Sequence, residues 1–444
     1  MFAKAASVPV EKLCRLGLFA VAARTLKEAA FGRFQFADVV TALLLLACDL
    51  GLGIWTTRAL ARSGAARAAS SAADAGSDAA AGVAAQAIVA TGLWVRCLAA
   101  IPYAGLVLGA AVAVGPGETR AALAVLGVAA LAGAFVEYCG AIFRGYERLG
   151  DEARLNVVRA VLVSAAGLLA LAWRPSVVAL AAGMATGATA AAASGLVVVR
   201  RRYRLPRPLE PGTFDARLAR AAVREALPLW LATLMSLVYF KGDAILLRMF
   251  VGDAAVGSYS AAYKIFEATM IVPSIVLAAW FPALVRVDAE REPGRRARVE
   301  LGLGAALLGL GLLAGATVLL ASGLVIRLAF GEAFANAVPM LRVLALGVPL
   351  VFLNYGLTHF LIARHLERAN LVFTFAMMVL NLGANLLFIP RFAGRGAAFT
   401  TVGTELALTG CCLVILLWGG RASGSRSRSS PTEPAEARRV RTSE

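Results

Sequence analysis

The sequence is poor in charge. Of its 444 residues only 16% are Asp, Glu, Lys or Arg, where an ordinary soluble protein has about a quarter, and 60% are apolar. That balance excludes a soluble globular protein, and outside the termini it excludes a disordered one. Histidine is rarer still: His359 and His365 are the two in the chain. The six cysteines, Cys14, Cys48, Cys97, Cys139, Cys411 and Cys412, fall within apolar stretches without metal-ligand spacing, so they read as buried thiols rather than disulfides. The sequence has no metal-ligand cluster, nucleophile motif or phosphate-cradling glycine loop, which argues against an enzyme and leaves no cofactor to expect. Lysine is scarce as well, five against 39 arginines. A net charge of +17 would point to nucleic acid in a soluble chain, but here the basic residues flank apolar segments and no nucleic-acid partner is expected.

Long apolar runs are abundant. About twelve stretches of roughly 20 residues are each long enough to cross about 30 Å of hydrocarbon. They lie near 5–25, 34–56, 92–114, 121–142, 155–173, 177–199, 226–250, 256–283, 300–321, 339–361, 370–389 and 396–418. The runs are continuous rather than alternating, and about twice as long as a barrel strand, so the fold class is an all-α polytopic membrane protein. All six tryptophans fall near proposed span ends, where an amphipathic ring suits the headgroup layer. The first stretch is the most polar, and with Glu11, Lys12 and Arg15 inside it does not read as a cleavable signal peptide.

Basic residues set the orientation. Loops after even-numbered spans, with the C-terminal tail, hold about 27 Lys and Arg, and loops after odd-numbered spans about eight, which places both termini in the cytoplasm. The densest cluster, from Arg200 to Arg224, lies near the midpoint of the chain. The expected organisation is a six-helix bundle over 1–199, a basic cytoplasmic linker over 200–225, a second six-helix bundle over 226–419 and a disordered cytoplasmic tail over 420–444. An internal repeat supports the division: FGRFQFADVV at 31–40 resembles VGSYSAAYKI at 256–265, and GYERLGDEARLNVV at 145–158 resembles ARHLERANLVF at 363–373. An even six-span duplication implies a pseudo-two-fold axis along the membrane normal and a central cavity between the halves.

Ionisable residues deep in spans are candidate site residues, because a charge at the bilayer centre costs at least about 2.5–3.5 kcal/mol on insertion scales. Lys264 and Glu267 share one helical face. Lys241 and Asp243 project away from each other, so at least one must face another helix or the cavity. Asp38 and Asp49, eleven residues apart, lie on one face of the second span, and Glu11 and Arg15 are spaced to pair along the first. Arg96 and Arg248 read as interface anchors, as does Arg159. Glu405 is expected to pair with the face of Asn381 and Asn385 or to serve a coupling cation.

Four stretches carry a family resemblance: AARTLKEAAFGRF at 22–34 running on to DLGLG at 49–53, FRGYERLGDEARLN at 143–156, the segment 226–267 with Asp243 followed by VGSYSAA, and NLGANLLFIPRFAGRGAAFTTVGTE at 381–405. In order and spacing they resemble the oligosaccharide flippases of the multidrug/oligosaccharidyl-lipid/polysaccharide exporter superfamily. The resemblance implies alternating access in the bacterial cytoplasmic membrane, with a polyprenyl-pyrophosphate-linked oligosaccharide as substrate, membrane lipids around it, and a polysaccharide polymerase or other assembly proteins as partners. A cation-coupled multidrug exporter of the same superfamily and a lipid II flippase are the alternatives, with a membrane glycosyltransferase acting on lipid-linked sugars ranked behind them. On this reading Lys264, Arg24 and Lys241 are the cavity cations that replace the solvation of the pyrophosphate, and Asp38, Asp49, Asp243, Glu267 and Glu405 are cavity or coupling carboxylates.

Overall fold

A computed structural model describes residues 2–63, 75–203, 214–289, 293–364 and 366–426. These residues form helices α1 (Phe2–Asp49), α2 (Leu52–Arg62), α3 (Ala75–Ala113), α4 (Glu118–Gly145), α5 (Leu149–Trp173), α6 (Val177–Tyr203), α7 (Ala216–Phe250), α8 (Asp253–Thr269), α9 (Ile271–Ala289), α10 (Pro293–Phe330), α11 (Ala337–Ala363) and α12 (Glu367–Arg426), with one 3₁₀ turn at Glu332–Phe334. Among the described residues there is no strand. Nine helical runs among the described residues are long and apolar enough to cross a membrane, and the bent pair Ala216–Pro228 and Thr233–Phe250 adds a tenth.

Two of the nine are hairpins. In α1 the backbone leaves the helical region at Lys27 (φ 64°), and Arg15 then meets Asp38 at 3.3 Å while the Phe19 and Phe34 rings pack edge to face. Both pairs share a midpoint between Leu26 and Lys27, as two antiparallel helices require. In α12 the reversal is at Ala393 (φ 52°), and Asn381 donates to Thr404 across it at 3.3 Å. A left-handed conformation at a non-glycine residue costs about 1–3 kcal/mol, held here by the packing of the two arms. With both hairpins divided, the described residues supply twelve helical segments of membrane-crossing length, the number of apolar runs expected.

Local chemistry explains where the elements depart from the expected spans. The second crossing stops at Asp49 instead of running to residue 56, because Leu50 (φ 52°) and Gly51 (φ 67°) turn the chain into α2. The eighth breaks at Met270 into α8 and α9: Pro273 cannot donate to the Thr269 carbonyl and its ring crowds that group. The linker expected over 200–225 is partly helical, since α6 continues to Tyr203 and α7 begins at Ala216, and residues 204–213 lie outside the described residues. Likewise α12 continues to Arg426, and residues 427–444 lie outside them.

The helices pack as two six-crossing bundles, α1–α6 and α7–α12. Lipid supplies no hydrophobic drive between helices, so close backbone approach at small residues does the work. Within the first bundle, Gly183 and Gly187 of α6 lie directly against the carbonyls of Ala166 and Leu162 in α5. Between the bundles the second arm of α1 crosses α8. A Cβ on Gly32 would overlap the Asp253 carbonyl oxygen and stand 2.7 Å from its carbon, and one on Gly257 would overlap the Glu28 carbonyl oxygen. Gly32 and Gly257 are equivalent positions of the 31–40 and 256–265 repeat, so repeat-related residues meet each other, as they must near a two-fold axis.

Candidate functional site

The crossing of Gly32 and Gly257 lies toward the end of the bundles that carries the turns at Lys27, Gly252 and Gly331, here called the hairpin end. That end is closed. Phe31 packs against Phe330 and Phe334 from the opposite bundle, and these rings belong to the largest buried core of the protein. Arg24 donates to the carbonyls of Ala329 (3.2 Å) and Leu328 at the end of α10, and Asn336 approaches Glu28 at 3.5 Å. Arg24 thus caps the C-terminal carbonyls of a helix in the other bundle and does not join the cavity cations expected of it.

Farther along the same interface, toward the end that holds the chain termini, charged groups from both bundles converge. From α8, Lys264 Nζ lies 3.0 Å from Glu267 Oε2, and from α7 Lys241 Nζ lies 3.9 Å from the same oxygen. From α1, Phe19 presents its ring to Lys264 Nζ at 5.0 Å and to the Arg15 guanidinium at 5.2 Å, so cations of the two bundles share one aromatic ring. Lys241 stands over the Tyr263 ring at 5.4 Å. Arg15 and Asp38 also line a partly open cavity of about 400 Å³ in the first bundle, together with Glu11, Lys12 and Arg159. Lys12, Arg15, Arg159, Lys241 and Lys264 face Glu11, Asp38, Glu267 and, 4.0 Å from Arg159, Glu137: among the described residues five cations meet four carboxylates, a net positive region inside an apolar protein.

The second bundle holds a different cavity of about 310 Å³. Tyr239, Phe240, Tyr355, His359 and Glu405 line it, and among the described residues no Lys or Arg does. Buried Glu405 accepts from Asn354 Nδ2 (2.7 Å) and Tyr239 Oη (3.0 Å), and Thr409 donates to Asn354 Oδ1 at 2.8 Å. Beside this network buried Asp243 accepts from the Tyr259 hydroxyl and from the Ala244 amide. Both carboxylates are therefore held by neutral donors, a setting that suits a carboxyl which binds and releases a proton or small cation. Among the described residues no group of three metal-ligating side chains occurs.

The structure redistributes several expected pairs. Glu11 pairs with Arg159 and Arg15 with Asp38, instead of Glu11 with Arg15, because the hairpin and α5 bring better-placed partners than the helix's own next turn. Arg96 is buried, not an interface anchor: it pairs with Asp49 at 2.6 Å, donates to the Ala134 carbonyl at 2.7 Å and stacks over Tyr138. Asp49 is thereby a structural partner well away from the Lys264 cluster. Arg248 pairs with Asp253 at 2.9 Å over the Phe36 ring. Lys241 and Asp243 do diverge, but Lys241 takes the interface and Asp243 the core of its own bundle. Glu405 finds Asn354 and Tyr239 rather than Asn381 and Asn385. Sequence reasoning missed Arg15, although its place in the middle of the first span was the signal for it.

Comparison with known proteins agrees with this architecture. Similar solved structures include an inward-facing multidrug resistance transporter of the MATE family and MOP superfamily (17% identity, 95% of this chain and 96% of that one, TM-score 0.72) and an outward-facing one (17%, 97% and 95%, TM-score 0.63). A third is the lipid II flippase MurJ in an inward closed conformation (10%, 94% and 87%, TM-score 0.69). At these identities the likeness is one of fold. A search of curated proteins returns no significant match. The profile described as "Polysaccharide biosynthesis protein" matches residues 2–288, well over half of the chain, and the protein belongs to that family.

Proposed function

We propose that this protein is a flippase that moves a polyprenyl-pyrophosphate-linked oligosaccharide across the bacterial cytoplasmic membrane by alternating access, with both termini in the cytoplasm. The observation that carries the reading is the convergence of Lys264, Lys241 and Arg15 between two bundles that are closed at the hairpin end. A pyrophosphate leaving the headgroup layer needs its solvation replaced, and fixed cations at an interface between moving bodies provide that. The polyprenyl tail stays in the bilayer beside the interface. Opening the hairpin end while the terminal end closes would release the headgroup on the other side, and Asp243 and Glu405 are suited to couple that change to a proton or cation.

Reconstituted into vesicles, Lys264→Ala should lower translocation of such a lipid at least tenfold with the protein folded and abundant, while Lys264→Arg retains part of the rate. A folded Lys264→Ala protein that works at the wild-type rate overturns the proposal. One observation favours a second reading, export of cationic amphiphiles: the cavity of Tyr239, Tyr355 and Glu405 offers aromatic faces and a carboxylate held by neutral donors. Energised uptake of a lipophilic cation that Glu405→Gln abolishes, without translocation of the lipid-linked sugar, would establish it instead.

A further inference from the structure

Two lysines at the interface share one carboxylate. Glu267 Oε2 is within 3.0 Å of Lys264 Nζ and 3.9 Å of Lys241 Nζ, and the second contact is too long for a hydrogen bond. The order of exposure is unusual for a structural ion pair. The Glu267 side chain is 41% exposed, against 23% for Lys241 and 10% for Lys264, so the anion is the outermost member and the cations lie beneath it.

It is held by charge more than by hydrogen bonds. Glu267 lies in the last turn of α8, just before the break at Met270, where the helix's free carbonyls disfavour a negative charge. Among the described residues, Lys264 is the one hydrogen-bond donor to its carboxylate.

We propose that Glu267 is a tethered counter-anion: it occupies the phosphate subsite of the empty site and is displaced when the substrate's pyrophosphate binds Lys264 and Lys241. This rests on the reading of the cluster as an anion site and adds what holds that site when no substrate is present. One carboxylate leaves one of the two lysines uncompensated, and Arg15 lies across the shared Phe19 ring. A pyrophosphate diester brings about two negative charges and answers both lysines, so exchange favours it over a singly charged ligand. On the far side Glu267 swings back onto Lys264 and helps expel the headgroup, which keeps a doubly charged ligand from being trapped between two half-buried cations.

Binding of inorganic pyrophosphate to the purified full chain tests this by calorimetry on the wild type, Glu267→Gln and Lys264→Gln, with thermal melting to confirm folding. Removing a competing anion should tighten binding: Glu267→Gln is expected to bind at least tenfold more tightly than wild type, and Lys264→Gln at least tenfold more weakly. A purely structural partner gives the opposite sign, since its loss disorders the lysines. Glu267→Asp, whose carboxylate is one methylene shorter, should fall between wild type and Glu267→Gln and serves if the latter does not fold. If the wild type binds, Lys264→Gln does not and neither Glu267 variant tightens, the tethered-anion role is overturned and the cation site stands. If none of the proteins binds pyrophosphate, both fail.

Discussion

Gly32→Ala is the most direct probe of how the bundles close. The new methyl would overlap the Asp253 carbonyl oxygen and stand 2.7 Å from its carbon, and backbone atoms cannot rotate aside. Ordinary carbon–carbon contact needs about 3.5–4.0 Å, so the second arm of α1 and α8 must part by about 1 Å at their crossing. Overpacking of that kind costs about 1–3 kcal/mol. It falls only on conformations in which the two helices touch, so the closed hairpin end should lose about 5–150-fold in population relative to an open one. Spin labels on cysteines replacing Glu28 and Asn336, whose side chains lie 3.5 Å apart, would report this in a cysteine-free background. A single short distance is expected with Gly32 present, and a second, longer population with Gly32→Ala. Gly257→Ala should act alike, because its methyl would meet the Glu28 carbonyl from the other side, whereas Gly105→Ala, with nothing within 4 Å, should leave the distances alone. A folded Gly32→Ala protein with an unchanged distance distribution would refute the reasoning.

Other consequences are more local. Asp49→Ala leaves buried Arg96 without its carboxylate and should destabilise the first bundle by about 3 kcal/mol, the low end for a broken buried pair because the Ala134 carbonyl still accepts, and an unchanged melting temperature in detergent would contradict it. Asn354→Leu removes the Asn354 donor from both the carboxylate and the backbone carbonyl of Glu405 and should cost about 1–3 kcal/mol, whereas Glu405→Gln, whose amide oxygen still accepts from Asn354 while its amide nitrogen donates to the Tyr239 hydroxyl, should melt near the wild type, and equal melting of both variants would show that the network is not stabilising. Reporter fusions after Gly420 should read cytoplasmic and those after Gly117 external, and the reverse pattern would invert the direction of transport proposed above.

Crossings were legible in the sequence because hydrocarbon thickness sets a length that apolar runs must meet, and that requirement acts on each segment alone. Partners were not. Helical spacing pairs Glu11 with Arg15, yet the reversal at Lys27 sets Asp38 3.3 Å from Arg15, and no local pattern encodes which of two nearby carboxylates lies across a hairpin. Arg96 looked like an anchor because its distance from a span end is readable and its burial against α4 is not. Gly32 and Gly257 were visible as matched positions in a weak repeat, but their contact follows only once the two-fold arrangement places equivalent residues face to face. Lys264 and Glu267 were legible as a pair for the opposite reason: three residues on one helix fix their separation. Lys241 and Arg15, which complete the cluster, reach it from two other helices.

The tight reversal at Lys27 also bears on how the protein is made. One residue joins the two arms of α1, and the first arm, with Arg15 in its middle, is a poor candidate for entering lipid alone, since a central arginine costs at least about 2.5–3.5 kcal/mol there. Its neutralising partner, Asp38, is synthesised only with the second arm. The N-terminal segment therefore has to wait at the translocon until the ribosome has emitted the chain to about Asp49, and the two arms then enter the bilayer as one prepaired unit. Nascent chains arrested before Asp38 should leave the first arm extractable from membranes by alkali, and chains arrested well past Asp49 should not.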